Sequence, residues 1–111
     1  LEYRGQVIIA TLTDEKILDD DQLRSLEGSF LPLIQQTSGI QLIINFQNVK
    51  FLTSSVLGLL IRISKKVYEA EGTLRLCSIG PKILEVFRIT RLDKVFDIHA
   101  NVDDALIGLK K

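Results

Sequence analysis

A single α/β domain, with a mixed sheet of four to five strands covered by about four helices, is the fold this sequence predicts, and three observations carry it. Apolar runs rich in β-branched residues, Val7 to Leu12 and Leu42-Ile43-Ile44, alternate with stretches of helical period. No internal repeat, low-complexity tract or linker divides the chain. With 111 residues, 46% of them hydrophobic and 25% charged, it can bury a core without metals or disulfides.

The elements follow in order. Leu1 to Tyr3 reads as a short strand, turned by Arg4-Gly5 into a buried strand over Val7–Leu12, so the two form a hairpin. Asp19, Asp20 and Asp21 favour a helix start by capping and by their charge against the helix dipole. That helix carries Leu23, Leu26, Phe30, Leu33 and Ile34 on one face and ends before Ser38-Gly39, with a kink expected near Gly28 because Pro32 lies inside it. Gln41 to Phe46 is a strand whose unbroken Leu42-Ile43-Ile44 run places it centrally, covered on both faces. The longest helix spans Ser54 to Ala70, with Gly72 as its C-terminal stop. Thr73 to Cys77 is a strand, and Pro81 opens a helix that runs to about Thr90. Val95 to Ile98 reads as a short strand, and Val102 to Leu109 as a last helix capped by Asn101.

Composition narrows the function classes. Fourteen basic residues balance 14 acidic ones, so the electrostatic footprint of a dedicated nucleic-acid binder is missing. The charge is nonetheless dipolar: residues 1 to 50 hold 4 basic and 7 acidic side chains, residues 51 to 111 hold 10 and 7. Such a domain suits docking to a protein partner. Gly58, Arg62 and Lys65 break the longest apolar runs, which predicts no membrane span. The single cysteine, Cys77, allows no internal disulfide and points to a reducing, cytoplasmic setting. It is expected in the core. The chain begins at Leu1 rather than Met, which reads as a trimmed or excised domain.

The longest helix carries the informative face. At 100° per residue, Val56, Leu57, Leu59, Leu60, Ile61, Ile63, Val67 and Tyr68 fall in one broad apolar arc. Ser54, Ser55, Gly58, Arg62, Lys65, Lys66 and Glu69 occupy the other. Two serines therefore stand on the exposed side of a helix N-terminus, where free backbone N–H groups tolerate a phosphate. The plainer alternative is that Thr53 or Ser54 is just an N-cap, a routine use of such residues. Glycine inside a helix costs about 1 kcal/mol, so Gly58 implies close packing or the approach of a partner.

Enzymatic readings find little support. A nucleophilic Ser54 or Ser55 with His99 as base lacks the glycines of a nucleophile elbow, since Leu52 and Val56 flank Ser54 at those positions; His99 reads as a surface residue. No phosphate-binding glycine loop occurs. Asp19, Asp20 and Asp21 lack the spacing of a calcium loop, and no cofactor or metal is expected.

Phe51-Leu52-Thr53-Ser54-Ser55-Val56-Leu57-Gly58 resembles the Phe-x-Asp-Ser-Ser-Gly-x-Gly motif of the STAS domain in bacterial anti-sigma factor antagonists. Leu42-Ile43-Ile44-Asn45-Phe46 is similar to the strand before that motif, and Glu71-Gly72-Thr73-Leu74-Arg75-Leu76 to the helix-to-strand turn after it. Pro81 through Val86, Thr90 through Phe96 and Asp104-Ala105-Leu106 resemble the segments that follow, so the likeness extends over nearly all of residues 1–111 as one STAS domain. It implies a non-catalytic partner switch in bacterial transcription control. A serine/threonine kinase anti-sigma factor binds the unmodified antagonist through the motif helix, phosphorylation releases it, and a cognate phosphatase resets the cycle. By motif position the acceptor is Ser54, with Ser55 as second choice, and the partner face comprises Thr53, Ser54, Ser55, Gly58, Arg62 and Lys65. Thr53, Val56 and Asn45 stand where the family usually has Asp, Gly and Asp. These departures leave a second reading, a diverged STAS scaffold or sensor that binds a partner with no phosphorylation switch.

Overall fold

The computed structural model describes residues 2–13, 15–17 and 19–109. Its main sheet has five strands in the order β1 (Glu2–Arg4), β2 (Val7–Thr11), β4 (Gln41–Asn45), β6 (Thr73–Cys77) and β7 (Asp97–His99). β1 and β2 form the antiparallel hairpin, and every other neighbouring pair is parallel. The part of the first strand expected at Leu1 lies outside the described residues. Four α-helices complete the fold: α1 (Asp20–Gln36), α2 (Ser54–Glu69), α3 (Pro81–Ile89) and α4 (Val102–Leu106).

Strand alternation sorts the core into two layers. Ile8, Ala10, Leu42, Ile44 and Leu76 point to one face, where Phe30 and Ile34 of α1, Leu59, Leu60, Ile63 and Val67 of α2, and Ile83 and Phe87 of α3 cover them. Val7, Ile9, Ile43 and Cys77 point to the other, under Ala105 and Leu106 of α4. The central strand is thus covered on both sides, as its unbroken apolar run predicts. Burial also pushes the Cys77 thiol above its ordinary pKa, partly offset by a hydrogen bond with Ser78, so the neutral thiol is the favoured core form.

Asp19 caps α1 in a reciprocal box with Gln22: the Gln22 amide donates to Asp19 Oδ1 at 2.8 Å and the Asp19 amide donates to Gln22 Oε1 at 3.2 Å. The helix is assigned without interruption through Pro32. Pro32 and Gly28 are both exposed, so the Gly28 carbonyl that loses its helical donor lies on the wet side, where water can replace it.

Several elements differ from the sequence reading. A second, two-stranded parallel sheet joins β3 (Lys16–Ile17) to β5 (Phe51–Leu52), pieces too short to show a period. The last strand starts two residues later than the expected Val95–Ile98 and ends one later, because a 3-10 helix at Leu92–Lys94 draws the amides of Val95 and Phe96 to the Leu92 carbonyl. Phe96 then enters the core and stacks on Phe87, with ring centroids 6.0 Å apart. α4 stops at Leu106 rather than Leu109; Ile107 is extended, and Arg75 Nη1 donates to the carbonyls of Ala105 and Ile107, tying the helix end to β6.

Gly72 has a different task from the expected stop. The Gly72 amide donates to Val67 O and the Glu71 amide to Tyr68 O, the paired bonds of a Schellman ending, but the left-handed residue is Glu71 at φ 59°. A side chain in that region costs about 1 kcal/mol or more, so Glu71→Gly is expected to stabilise the fold by about 0.5–1 kcal/mol, read as a raised midpoint in urea unfolding at constant slope. Gly72 is required because its backbone lies against Ile40.

Candidate partner-binding site

The start of α2 is held from below. The Lys50 and Phe51 amides donate to the Glu15 carbonyl at 2.7 and 3.0 Å, pinning β5 beside β3, and Gln22 Nε2 donates to the Lys16 carbonyl at 2.8 Å, linking the same strand to α1. The turn leading to β5 is fixed by Asn45, 4% exposed, whose Oδ1 accepts from the Gln47 amide at 3.1 Å and whose Nδ2 lies 3.5 Å from Thr11 Oγ1. The buried amide satisfies both neighbours while neutral; a carboxylate here would carry an unpaired charge into the interior.

Thr53 is the N-cap residue of α2, extended and half-buried, and its side chain makes no capping bond. The Val56 amide donates to the Thr53 carbonyl at 3.0 Å, closing a tight first turn that contains no acidic residue. The positive end of the helix dipole therefore has no carboxylate in that turn to balance it. Ser54 and Ser55 are both exposed, and Val56 and Leu57 are buried. Val56 thus fills the core rather than the surface beside the serines, so its bulk does not obstruct them.

Ser54, Gly58 and Arg62 follow at four-residue spacing along one face. Arg62 Nε meets Glu27 Oε2 of α1 at 3.2 Å. Among the described residues a Cβ built on Gly58 would meet only Arg62 Nη1, at 3.8 Å, so none of them requires a glycine there. Arg62, Lys65, Lys66 and Glu69 are exposed, and the last two form a loose pair at 3.9 Å. The helical arc divides largely as its sequence predicts, but Tyr68, at the arc margin in the last turn, is 84% exposed, and Gly58, on the polar face, is half-buried.

Glu27 and the β3 support were missed by sequence reasoning. Arg62 and Glu27 are 35 residues apart, and no local pattern joins them. His99 is half-buried rather than a surface residue; its Nε2 lies 2.9 Å from Asp97 Oδ1 on the same strand, β7. Among the described residues no group of three or more His, Cys, Asp or Glu could hold a metal, and no helix is long and apolar enough to cross a membrane.

The sequence model of the STAS domain matches residues 5–105. The chain belongs to the STAS domain family. An anti-sigma F factor antagonist of Paenibacillus polymyxa is 24% identical over 110 residues, spanning 99% of this chain and 92% of that protein. Among solved structures, an anti-sigma-factor antagonist (STAS) domain protein from Planctomyces limnophilus superposes with a TM-score of 0.86 at 25% identity, covering 96% of this chain and 92% of that one. A candidate anti-sigma factor antagonist from Thermotoga maritima has the same fold, with a TM-score of 0.77 at 18% identity over 90% of this chain and 87% of that one. The STAS assignment accounts for the hairpin, the parallel strands and the placement of the motif at the head of α2.

Proposed function

We propose that this STAS domain is an anti-sigma factor antagonist that binds a serine/threonine kinase anti-sigma factor through Thr53, Ser54, Ser55, Gly58, Arg62 and Lys65. The observation that carries this reading is the open surface at Gly58. The glycine weakens α2 by about 1 kcal/mol relative to alanine, and packing among the described residues returns nothing for it, which is the expected signature of a surface shaped for another molecule. The family resemblance of the motif and the anti-sigma factor antagonist role named for two relatives point the same way.

The switch acts through Ser54. The kinase transfers the γ-phosphoryl group of ATP to Ser54 Oγ, the hydroxyl proton leaves, and ADP departs. The product adds about −1.5 to −2 charge at a hydroxyl that had docked uncharged. The acid-free first turn of α2 accommodates that charge within the domain, while the docked partner meets it as a new desolvation cost. A cognate phosphatase hydrolyses the ester and restores binding.

The test begins with co-purification from the native cell and phosphopeptide mapping of the recovered chain. With the kinase so obtained, wild type and Ser55→Ala are expected to incorporate phosphate and Ser54→Ala to remain unlabelled. Equal labelling of wild type and Ser54→Ala would move the acceptor to Ser55 or Thr53. No labelling of any of them would favour the unswitched scaffold.

A further inference from the structure

The carboxyl ends of β4 and β6 border a groove of about 520 Å³ that the partner face does not use. Phe46, Val49 and Ile83 form nearly buried apolar parts of its lining, and Phe51, a large apolar ring left 53% exposed, contributes at the rim. Two lysines, Lys50 and Lys82, also line it. A volume of this size is within the ordinary range for small-molecule sites, roughly 300–1,000 Å³. Ends of parallel strands are also where open α/β sheets commonly receive ligands.

The electrostatics of the groove have one sign. Lys50 is shared with Glu15, whose carboxylate is 3.9 Å from Nζ, but Lys82 makes no ion pair among the described residues. α3 begins at this groove with Gly80 as N-cap, no side-chain capping bond and no acidic residue in its first turn; the amides of Lys82 and Ile83 have no acceptor among the described residues. Lys16, 5.7 Å from the centre of the Phe51 ring, adds a further cation nearby. The lining offers few other polar side chains, Gln47 and Ser78, too few to hold the base and sugar of a nucleotide. An apolar body with one acidic end is the chemistry that matches.

We propose that this groove binds a small amphipathic carboxylate, with its apolar body among Phe46, Val49, Phe51 and Ile83 and its acid group at Lys82 and Lys50. The inference concerns the chain alone and stands independently of the anti-sigma factor antagonist reading. It is tested by titrating the isotope-labelled chain with octanoate, octan-1-ol and guanosine triphosphate while following amide NMR signals.

Octanoate is expected to shift Lys50, Phe51, Lys82 and Ile83 saturably, and octan-1-ol to bind more weakly. Reversing the unpaired cation with Lys82→Glu should weaken octanoate roughly tenfold. Gly80→Leu should remove binding while the remaining spectrum stays folded, because Gly80 has ordinary negative φ and a Cβ there meets nothing within 4 Å. Absence of a saturable shift up to the solubility of octanoate overturns the proposal. So do equal responses to acid and alcohol that Lys82→Glu leaves unchanged, or tighter binding of guanosine triphosphate at the same amides.

Discussion

Gly58→Arg is expected to abolish capture of the kinase partner, weakening it by about 100-fold or more, while the domain stays folded. Loss of one well-packed contact at the centre of an interface commonly costs about 2–4 kcal/mol, and a bulky cation placed where the surface is flat removes several contacts at once. The fold has no reason to object. Among the described residues an added Cβ meets only the far end of the Arg62 side chain, at 3.8 Å, and arginine is a better helix former than glycine. The unfolding midpoint should therefore be unchanged or slightly raised. Calorimetric titration beside thermal unfolding separates the two effects: binding retained by a folded Gly58→Arg would place the interface elsewhere.

Gly72→Ala is expected to destabilise the domain by about 3 kcal/mol, the upper part of the range for forcing atoms into packed space. A Cβ on Gly72 would drive into the Ile40 carbonyl oxygen, with Ile40 Cγ2 at 2.7 Å and Ile40 N at 3.1 Å. Retreat is blocked on the other side. Ile40 is 1% exposed, and its carbonyl accepts the Thr73 amide at 2.7 Å, the bond that starts the pairing of β4 with β6. For a domain of this size the change corresponds to a melting temperature lower by roughly 12–20 °C. A shift of only a degree or two would mean that the two backbones separate freely. The adjacent Glu71→Gly, expected to stabilise, is the control that distinguishes close approach from helix termination.

The contrast between Glu71 and Gly72 marks what sequence could and could not supply. Glycine at a helix end normally signals a left-handed stop, and only the spatial neighbour Ile40 reveals the other use. The main strands were legible because Val7–Thr11, Gln41–Asn45 and Thr73–Cys77 are long enough for their apolar pattern to register, and α2 because its two arcs separate cleanly. Lys16–Ile17 and Phe51–Leu52 were hidden because two residues carry no period; what makes them strands is their pairing with each other. Val95 and Phe96 misled because an apolar pair reads as a strand whether it enters a ladder or, as Phe96 does, packs a ring beneath a helix. At the site, exposure of Ser54, Ser55, Arg62 and Lys65 followed from the helical period. The Glu27 contact with Arg62 did not, since it depends on how α1 and α2 cross. Asn45 and Val56 were visible as departures from the family pattern, but only burial assigns them structural duties.

The most direct test of the proposed switch is a titration of the purified kinase partner with unmodified chain and with chain carrying phosphate on Ser54 alone. The account predicts tight binding of the unmodified form and affinity lower by about 30-fold or more for the phosphorylated one, the effect of about 2 kcal/mol from a doubly charged group in a desolvated contact. Equal affinity for the two forms, or tighter binding of the phosphorylated one, would contradict it.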